Sequence, residues 1–530
     1  QQQKAGAPDT VLRHPDTNAP FAARLDWARQ TGRERRGGNY WVGYIVTGSS
    51  APAGWVYFDR HEPIRTGDVT LYGQVRISGP DQLSFSGVEL RPLLGEYAGQ
   101  DLAIFLGYEL VNGRPALSRI HVGSFGLPVH FGGWSLVWLG TVTDAESVEL
   151  VRGLYQSAGS TELAKDVVAT VGVHGTSAVA VTALLEWLKS SSPEAIRQEA
   201  AEWLAHHDDP RVLPALSRAV WTDGSDAVRQ DAVEAMGSVA RSAAADTIIR
   251  IARTHPDHSV RQEAVETLGE REEPAAFNAL ISIARDDHSR EIRMEAIETL
   301  GDLKDGRGVS ILMELAQSHP DDASRREAVE TLGDAAPEAK TVELLLRIAS
   351  ADRSLAVRRE AVETLGDMEE VPEAQRALRD LIERHPDGEV QKQGVESMAN
   401  SPGSDVLETL RDVARTHPKA DVRREAIDGL ARLDDPKAVE ALRSIALTDP
   451  DVSLQAAAAE ALGEAHPHEA ALKALQEIIW QHPTPDVARA AVEALADLEG
   501  PGVTELLREV IRRHPSISVQ REAVDVLTRR

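Results

Sequence analysis

From residue 143 onward, apolar residues return at helical spacing, and the whole pattern returns every 32 or 33 residues. In segment 260–269, Val260, Ala264, Val265 and Leu268 fall at i, i+4, i+5 and i+8, one stripe down a helix, while charged residues take most remaining positions. Near-identical copies occupy 292–301, 324–333 and 357–366, and looser ones occupy 390–399, 422–431, 454–463, 487–496 and 519–528. Upstream, 196–205 and 228–237 fit well and 163–172 fits weakly, which makes twelve copies. A second apolar series keeps the same step: Leu184, Leu216, Ile248, Leu280, Leu312, Leu345, Leu378, Leu410, Leu442, Leu475 and Leu507. Each repeat therefore predicts two helices.

One such pair cannot bury its own apolar stripe, so the pairs must stack as an array. Alanine at position 264 lets the two helices of a pair approach closely. Gly269, Gly301, Gly333 and Gly366 stand where a left-handed helix C-terminus is expected. Thr143 and Glu146 have the spacing of a capping box at the start of the first helix. The expected fold is an α-solenoid of about twelve helix pairs, covering 143–530.

Ahead of residue 143 the period drops to two. Val69 and Leu71, Val75 and Ile77, Leu83 and Phe85, and Leu102, Ile104 and Leu106 alternate as half-buried strands do. Asn112-Gly113 accepts the positive φ angles of a type I′ hairpin turn. Residues 40–140 are therefore expected to form a small all-β domain, sandwich or barrel-like, of six to eight strands. Residues 1–39 read as an arm with a short helix at 21–30. Composition agrees with a boundary near Gly140, because 17 of the 23 aromatic residues lie within the first 150.

Charge narrows the partners. The chain carries 84 acidic and 57 basic residues, a formal charge of -27, and beyond residue 150 the balance is 69 to 44. Such a surface repels phosphate backbones and anionic headgroups, which argues against nucleic acid and membranes. The absence of cysteine excludes disulfides, thiolate catalysis and cysteine-bound zinc or iron–sulfur clusters. No stretch of 18 consecutive apolar residues occurs, so membrane insertion is not expected. The polar start at Gln1-Gln2-Gln3 is what remains when a secretory signal peptide is removed, so the expected location is secreted or periplasmic.

With Val-Arg-x-Glu-Ala-Val-x-x-Leu-Gly in view, the array resembles the short HEAT-like repeats of phycobilin-lyase-type proteins over residues 143–530. That resemblance implies a concave surface lined by the second helix of each pair. Arg261, Arg293, Arg325, Arg358 and Arg423, with Glu266, Glu298, Glu330, Glu363 and Glu396, would then form parallel charge ladders able to grip a peptide or a protein edge. The competing reading is that the arginines pair with turn carboxylates such as Asp257, Asp321 and Asp421 and hold successive repeats in register.

Other chemistry is sparse. Histidines precede proline at 255, 319, 385, 417, 482 and 514, but stacked repeats would set them about 10 Å apart, too far to share one metal ion, so they read as helix stops. Deoxyhypusine hydroxylase, an enzyme of similar repeats, holds iron with His-Glu pairs; the matching Gln262-Glu263, Met294-Glu295, Arg326-Glu327 and Arg359-Glu360 lack the histidine. No nucleophile elbow, zinc helix, phosphate loop or dinucleotide fingerprint occurs, and no metal or cofactor is expected. Asp59, His61 and Glu62 read as loop residues. Trp134 and Trp138 are expected to seal the solenoid against the β domain. Trp41, Trp55, Tyr57 and Phe58 are expected in its core, with an aromatic platform for a sugar or peptide as the alternative.

The functional expectation is a non-catalytic scaffold that binds a protein or peptide on the solenoid surface. One alternative is a subunit of a head-to-tail assembly, extracellular or periplasmic, joining the N-terminal arm to the C-terminal solenoid end as a homo-oligomer. A bilin-lyase-like enzyme is the third reading, and it rests on resemblance alone.

Overall fold

The computed structural model describes residues 7–16, 18–34, 38–46, 55–66, 69–76, 83–84, 94, 101–125, 129–239, 242–401, 405–498 and 500–530, with backbone alone for the strands between 55 and 84. Ile77, Phe85 and the leading glutamines lie outside the described residues, as do the side chains of Trp55, Tyr57, Phe58, Asp59, His61 and Glu62. The chain divides into two compact units, Gln1–Ala279 and Leu280–Arg530.

The first unit opens with strands β1 (Val11–Arg13), β2 (Tyr40–Val46), β3 (Trp55–Thr66), β4 (Val69–Arg76), β5 (Leu83–Ser84), β6 (Leu102–Val111), β7 (Arg114–Ser124) and β8 (Ser135–Val142). The expected sandwich or barrel is, among the described residues, a single sheet in the order β1-β8-β2-β6-β7-β3-β4, with β5 on β3. β8 pairs in parallel with both β1 and β2, while the other pairs are antiparallel. Asn112 and Gly113 join β6 to β7 at φ of 53° and 74°, as the sequence required of a type I′ turn. One core gathers Trp41, Phe105, Phe125, Phe131 and Trp138. Trp41 donates its indole N–H to the Phe131 carbonyl at 3.0 Å.

Trp138 therefore belongs to the sheet's own core and Trp134 packs against it, which corrects the expectation that these two residues seal the helices. A polar seam does so. Helix α1 (Phe21–Arg33) packs on β8, where Arg24 donates to the carbonyls of Leu139 and Thr141. Helices α2 (Asp144–Leu154) and α3 (Thr161–Gly172) follow, and the buried Ser147 hydroxyl lies 3.1 Å from the Tyr44 hydroxyl and 2.9 Å from His174 Nε2. His174 Nδ1 faces only the Thr170 and Val171 carbonyls, so it carries the proton and Nε2 accepts from Ser147. Burial lowers the His174 pKa and keeps this ring neutral.

Thr143 accepts from the Glu146 amide at 3.3 Å and its own amide donates to the Glu146 carboxylate at 3.0 Å, so the expected capping box starts α2. First and second helices then alternate: α4 (Ala178–Trp187) and α5 (Glu194–Leu204), α6 (Val212–Thr222) and α7 (Asp226–Ser238), α8 (Ser242–Thr254) and α9 (His258–Gly269). Next come α10 (Pro274–Asp286) and α11 (Arg290–Gly301), α12 (Val309–Ser318) and α13 (Asp322–Ala335), α14 (Ala339–Ala351) and α15 (Leu355–Asp367), α16 (Pro372–Arg384) and α17 (Gly388–Asn400). The array continues with α18 (Val406–Thr416) and α19 (Ala420–Ala431), α20 (Pro436–Thr448) and α21 (Val452–Ala461), α22 (His468–Gln481) and α23 (Pro485–Ala494), α24 (Pro501–Arg513) and α25 (Ile517–Arg529). Helices α2 to α25 are twelve pairs, as the repeat count required.

The apolar stripe does what its spacing demands: Val260, Ala264, Val265 and Leu268 are fully buried, as are their counterparts in the repeats at 292–301, 324–333 and 357–366, whereas in the last repeat Val524 is exposed. Within each unit successive second helices pack on one another. Gly301, Gly333 and Gly366 serve that contact, and none of the repeat glycines forms a left-handed cap, which corrects the sequence expectation. None of Gly269, Gly301, Gly333 and Gly366 has positive φ, and all four are helical. A Cβ on Gly301 would run into Thr331 Cγ2, one on Gly333 into Thr364 Cγ2, and one on Gly366 into Ser397 Cβ at 2.8 Å. Glycine here sets how closely neighbouring second helices approach.

Gly333→Ala should destabilise the chain by about 1–3 kcal/mol through overpacking in urea unfolding. Gly333→Ala combined with Thr364→Ser, which removes the colliding methyl group, should recover most of that loss. Gly224→Ala, with open space around the new Cβ, should change little. Equal losses at 224 and 333 would contradict the close-approach role.

Candidate binding face on the second helices

The arginines at the second position of the repeats, 197, 229, 261, 293, 325, 358 and 423, point inward. Arg325 is 2% exposed and grips Asp352 with two hydrogen bonds of 2.7 and 2.9 Å. A third bond, of 2.9 Å, goes to the His319 carbonyl in its own repeat. Asp352 lies in the next repeat's interhelix turn, where it also accepts from the Ser354 amide at 2.8 Å. One guanidinium therefore ties its own turn to the next.

The arrangement recurs within each unit. In the first, Arg197 holds Asp223 with two bonds of 2.8 Å and Arg229 holds Asp257 at 2.6 Å. In the second, Arg293 holds Asp321 at 2.8 Å, Arg358 holds Asp387 at 2.7 Å, and Arg423 bonds Asp449. Arg261, 3% exposed, donates to the Ala252 carbonyl, as Arg423 does to Ala414. Where Lys419 takes the aspartate position, Gln391 takes the arginine position and turns to the Ile382 carbonyl and His417. Asp257 and Asp321 thus have the pairing role expected of turn carboxylates, whereas Asp421 lies outside it. At Asp352 burial opposes the charged form, yet bonding to Arg325 and the Ser354 amide outweighs it and leaves the carboxyl below its ordinary range. Asp223 and Asp321 follow the same balance.

The glutamates face the other way. Glu266, Glu298, Glu330 and Glu363 are exposed and Glu396 is half-buried. One helical turn before them stands a half-buried row that sequence reasoning weighed only as failed metal pairs: Glu263, Glu295, Glu327 and Glu360. Their sequence signal was carboxylates repeated at i and i+3 on α5, α7, α9, α11, α13 and α15. In the first unit Glu199, Glu202, Asp231, Glu234, Glu263, Glu266 and Glu270 share this face. Burial first, then Glu266, Glu234, Asp231 and Glu270, push Glu263 up to about 7. Burial, Glu199, Glu234 and Asp231 push Glu202 up to about 7, with Lys165 pulling the other way. In the second unit burial and Glu330 push Glu360 up to about 7, while Arg326 opposes them. Cations are interleaved there, as in the Arg326–Glu360 and Arg424–Glu460 pairs, both at 3.3 Å.

Of the histidines before proline, His255, His319, His417 and His514 are joints between repeats. His255 Nε2 lies 3.2 Å from the Val220 carbonyl, and His514 Nε2 lies 3.0 Å from that of Ile479, each at the end of the preceding first helix. The Asp257 and Ser516 amides donate to the respective Nδ1 atoms, so each ring is the Nε2–H tautomer. Among the described residues no three His, Asp or Glu side chains are grouped to hold a metal ion, and no helix is long and apolar enough to cross a membrane.

The family described as HEAT repeats matches five overlapping stretches, 181–256, 245–323, 309–399, 375–453 and 439–528. No curated protein matches the chain. Among solved structures, Kap95p bound to RanGDP is 13% identical with a TM-score of 0.37, over 73% of this chain and 60% of that one. Human deoxyhypusine hydroxylase is 19% identical at 0.22, over 54% and 96%. The CpcE–CpcF complex of phycocyanin lyase from Nostoc is 19% identical at 0.23, over 43% and 92%.

Opposite shifts in the two carboxylate sets give stability a maximum in pH. The depressed aspartates add stability above the ordinary carboxylate range that is lost as pH falls through their folded values. Glu202, Glu263 and Glu360, raised to about 7, add stability below the ordinary range that is lost as pH rises through about 7. The melting temperature should therefore fall between about pH 5 and about pH 7 and level off above, and Glu202→Gln, Glu263→Gln and Glu360→Gln together should flatten that limb while leaving the acid limb. A limb unchanged in the triple variant would refute the assignment.

Proposed function

The chain belongs to the HEAT-repeat proteins, and from that premise we propose a non-catalytic scaffold that binds a basic segment of a partner protein along the carboxylate rows of its second helices. The observation that carries this reading is the row of carboxylates at Glu202, Asp231, Glu234, Glu263, Glu266 and Glu270, where burial first and then the neighbouring like charges push Glu202 and Glu263 up to about 7. A partner's lysines and arginines would offset the like-charge part of that shift and favour the charged carboxylates. The ladder arginines are no competitors for the partner, because Arg197 and Arg229 are engaged with Asp223 and Asp257.

The glutamates Glu298, Glu330, Glu363 and Glu396 extend the same chemistry to the second unit. There the neighbouring Arg326 and Arg424 temper it, so the first unit is the stronger site for a dense positive charge. Rigid repeats suit such a role, since a preorganised row of charges costs the complex little ordering entropy.

A short fluorescent arginine-rich peptide should bind the full chain, with affinity falling steeply as salt rises. Glu263→Lys with Glu266→Lys should weaken it at least about tenfold. A glutamate-rich peptide should show no salt-sensitive binding to these rows. Undiminished affinity for the arginine-rich peptide in the double variant would refute the proposal.

A further inference from the structure

On the opposite side of the repeats, first helices α4 and α6 part to leave an open groove of about 640 Å³, and a smaller one of about 440 Å³ lies beside α14. α6 faces the larger groove with residues 211, 214, 215, 218, 219 and 222, one helical stripe in which Pro214, Ala215 and Ala219 are too short to fill the space. Leu185 and Leu188 from the α4 side complete an apolar floor. Two cations stand on its rim, Lys189 and Arg218, both exposed, and neither has a carboxylate partner among the described residues. Arg211 is engaged with Asp209, and Asp223, the acid at the groove's end, is neutralised by the two bonds from Arg197.

The groove thus sets an apolar floor beside two cations without carboxylate partners among the described residues, on a chain of formal charge -27. We propose that this groove binds a short acidic and apolar peptide segment of a partner protein, its leucine-like side chains on Leu185, Leu188 and Pro214 and its carboxylates on Lys189 and Arg218. The volume falls within the range of specific binding clefts, and the groove is open along the helices, which suits a peptide more than an enclosed small molecule. Surrounding negative charge rejects an acidic segment elsewhere, so complementarity localises it here. The site is independent of the carboxylate rows.

Fluorescence anisotropy on the full chain, with a short labelled peptide of leucine and glutamate and its leucine–lysine counterpart, tests the proposal. The glutamate peptide should bind, and Lys189→Glu or Arg218→Glu should weaken it at least about tenfold. Arg253→Glu, an exposed arginine outside the groove, should leave it unchanged, and melting temperatures of the variants should match the parent. Lys189→Ala gives a milder change if a reversed charge disturbs folding. The proposal is overturned if the glutamate peptide does not bind, or if Arg218→Glu and Lys189→Glu retain its affinity. It is also overturned if the chain self-associates and Arg218→Glu abolishes that association, which would make a second copy the occupant.

Discussion

The bridge between a buried arginine and the next repeat's turn aspartate is the constraint on which the stacked helices depend. A helix pair has an apolar stripe that would slide against its neighbour at little cost, because hydrophobic contact is not directional. The two bonds between Arg325 and Asp352 are directional, and the third bond to the His319 carbonyl fixes the guanidinium in its own repeat. Burial makes the pair exacting, since either partner alone would be an uncompensated charge. The Gly333–Thr364 contact sets the distance between the same two repeats. His-Pro joints set the other edge, through bonds such as His319 Nε2 to the Arg285 carbonyl at 3.0 Å.

Committing arginines inward sorts the charge. Cations of the repeat motif are consumed between repeats, and the carboxylates of the same motif remain on the outer face of the second helices. Net charge alone predicts repulsion of anions; the sorting explains why it concentrates on particular rows, where burial and then neighbouring carboxylates raise Glu202, Glu263 and Glu360 toward neutral pH. A row of charge under mutual repulsion is primed for a basic partner, and the groove between α4 and α6 has the opposite chemistry. Two faces of one helical stack can thus recruit different segments.

Much of this was legible in the sequence because periodicity is a local property. The twelve pairs, the capping box at Thr143 and the turn at Asn112-Gly113 follow from spacing and residue type. What failed to show were contacts between residues far apart in the chain. Gly301 and Gly333 read as helix ends, yet they answer threonines one repeat on. Trp138 read as a seal, yet the sheet pairing of β8 with β2 turns it toward Trp41 and Phe105. Ser147 and His174 carried no signal, because a buried relay to Tyr44 exists only once sheet and helices meet. The glutamate face was visible as a repeat, whereas its electrostatic strain required the distance between neighbouring rows.

A double-mutant cycle on Arg325 and Asp352, each changed to alanine singly and together and followed by urea unfolding, tests the central constraint most directly. The account predicts that each single change costs about 3–5 kcal/mol, that the double costs far less than their sum, and that the coupling is about 2 kcal/mol or more. Additive effects within about 0.5 kcal/mol would show that the bridge does not hold the repeats together.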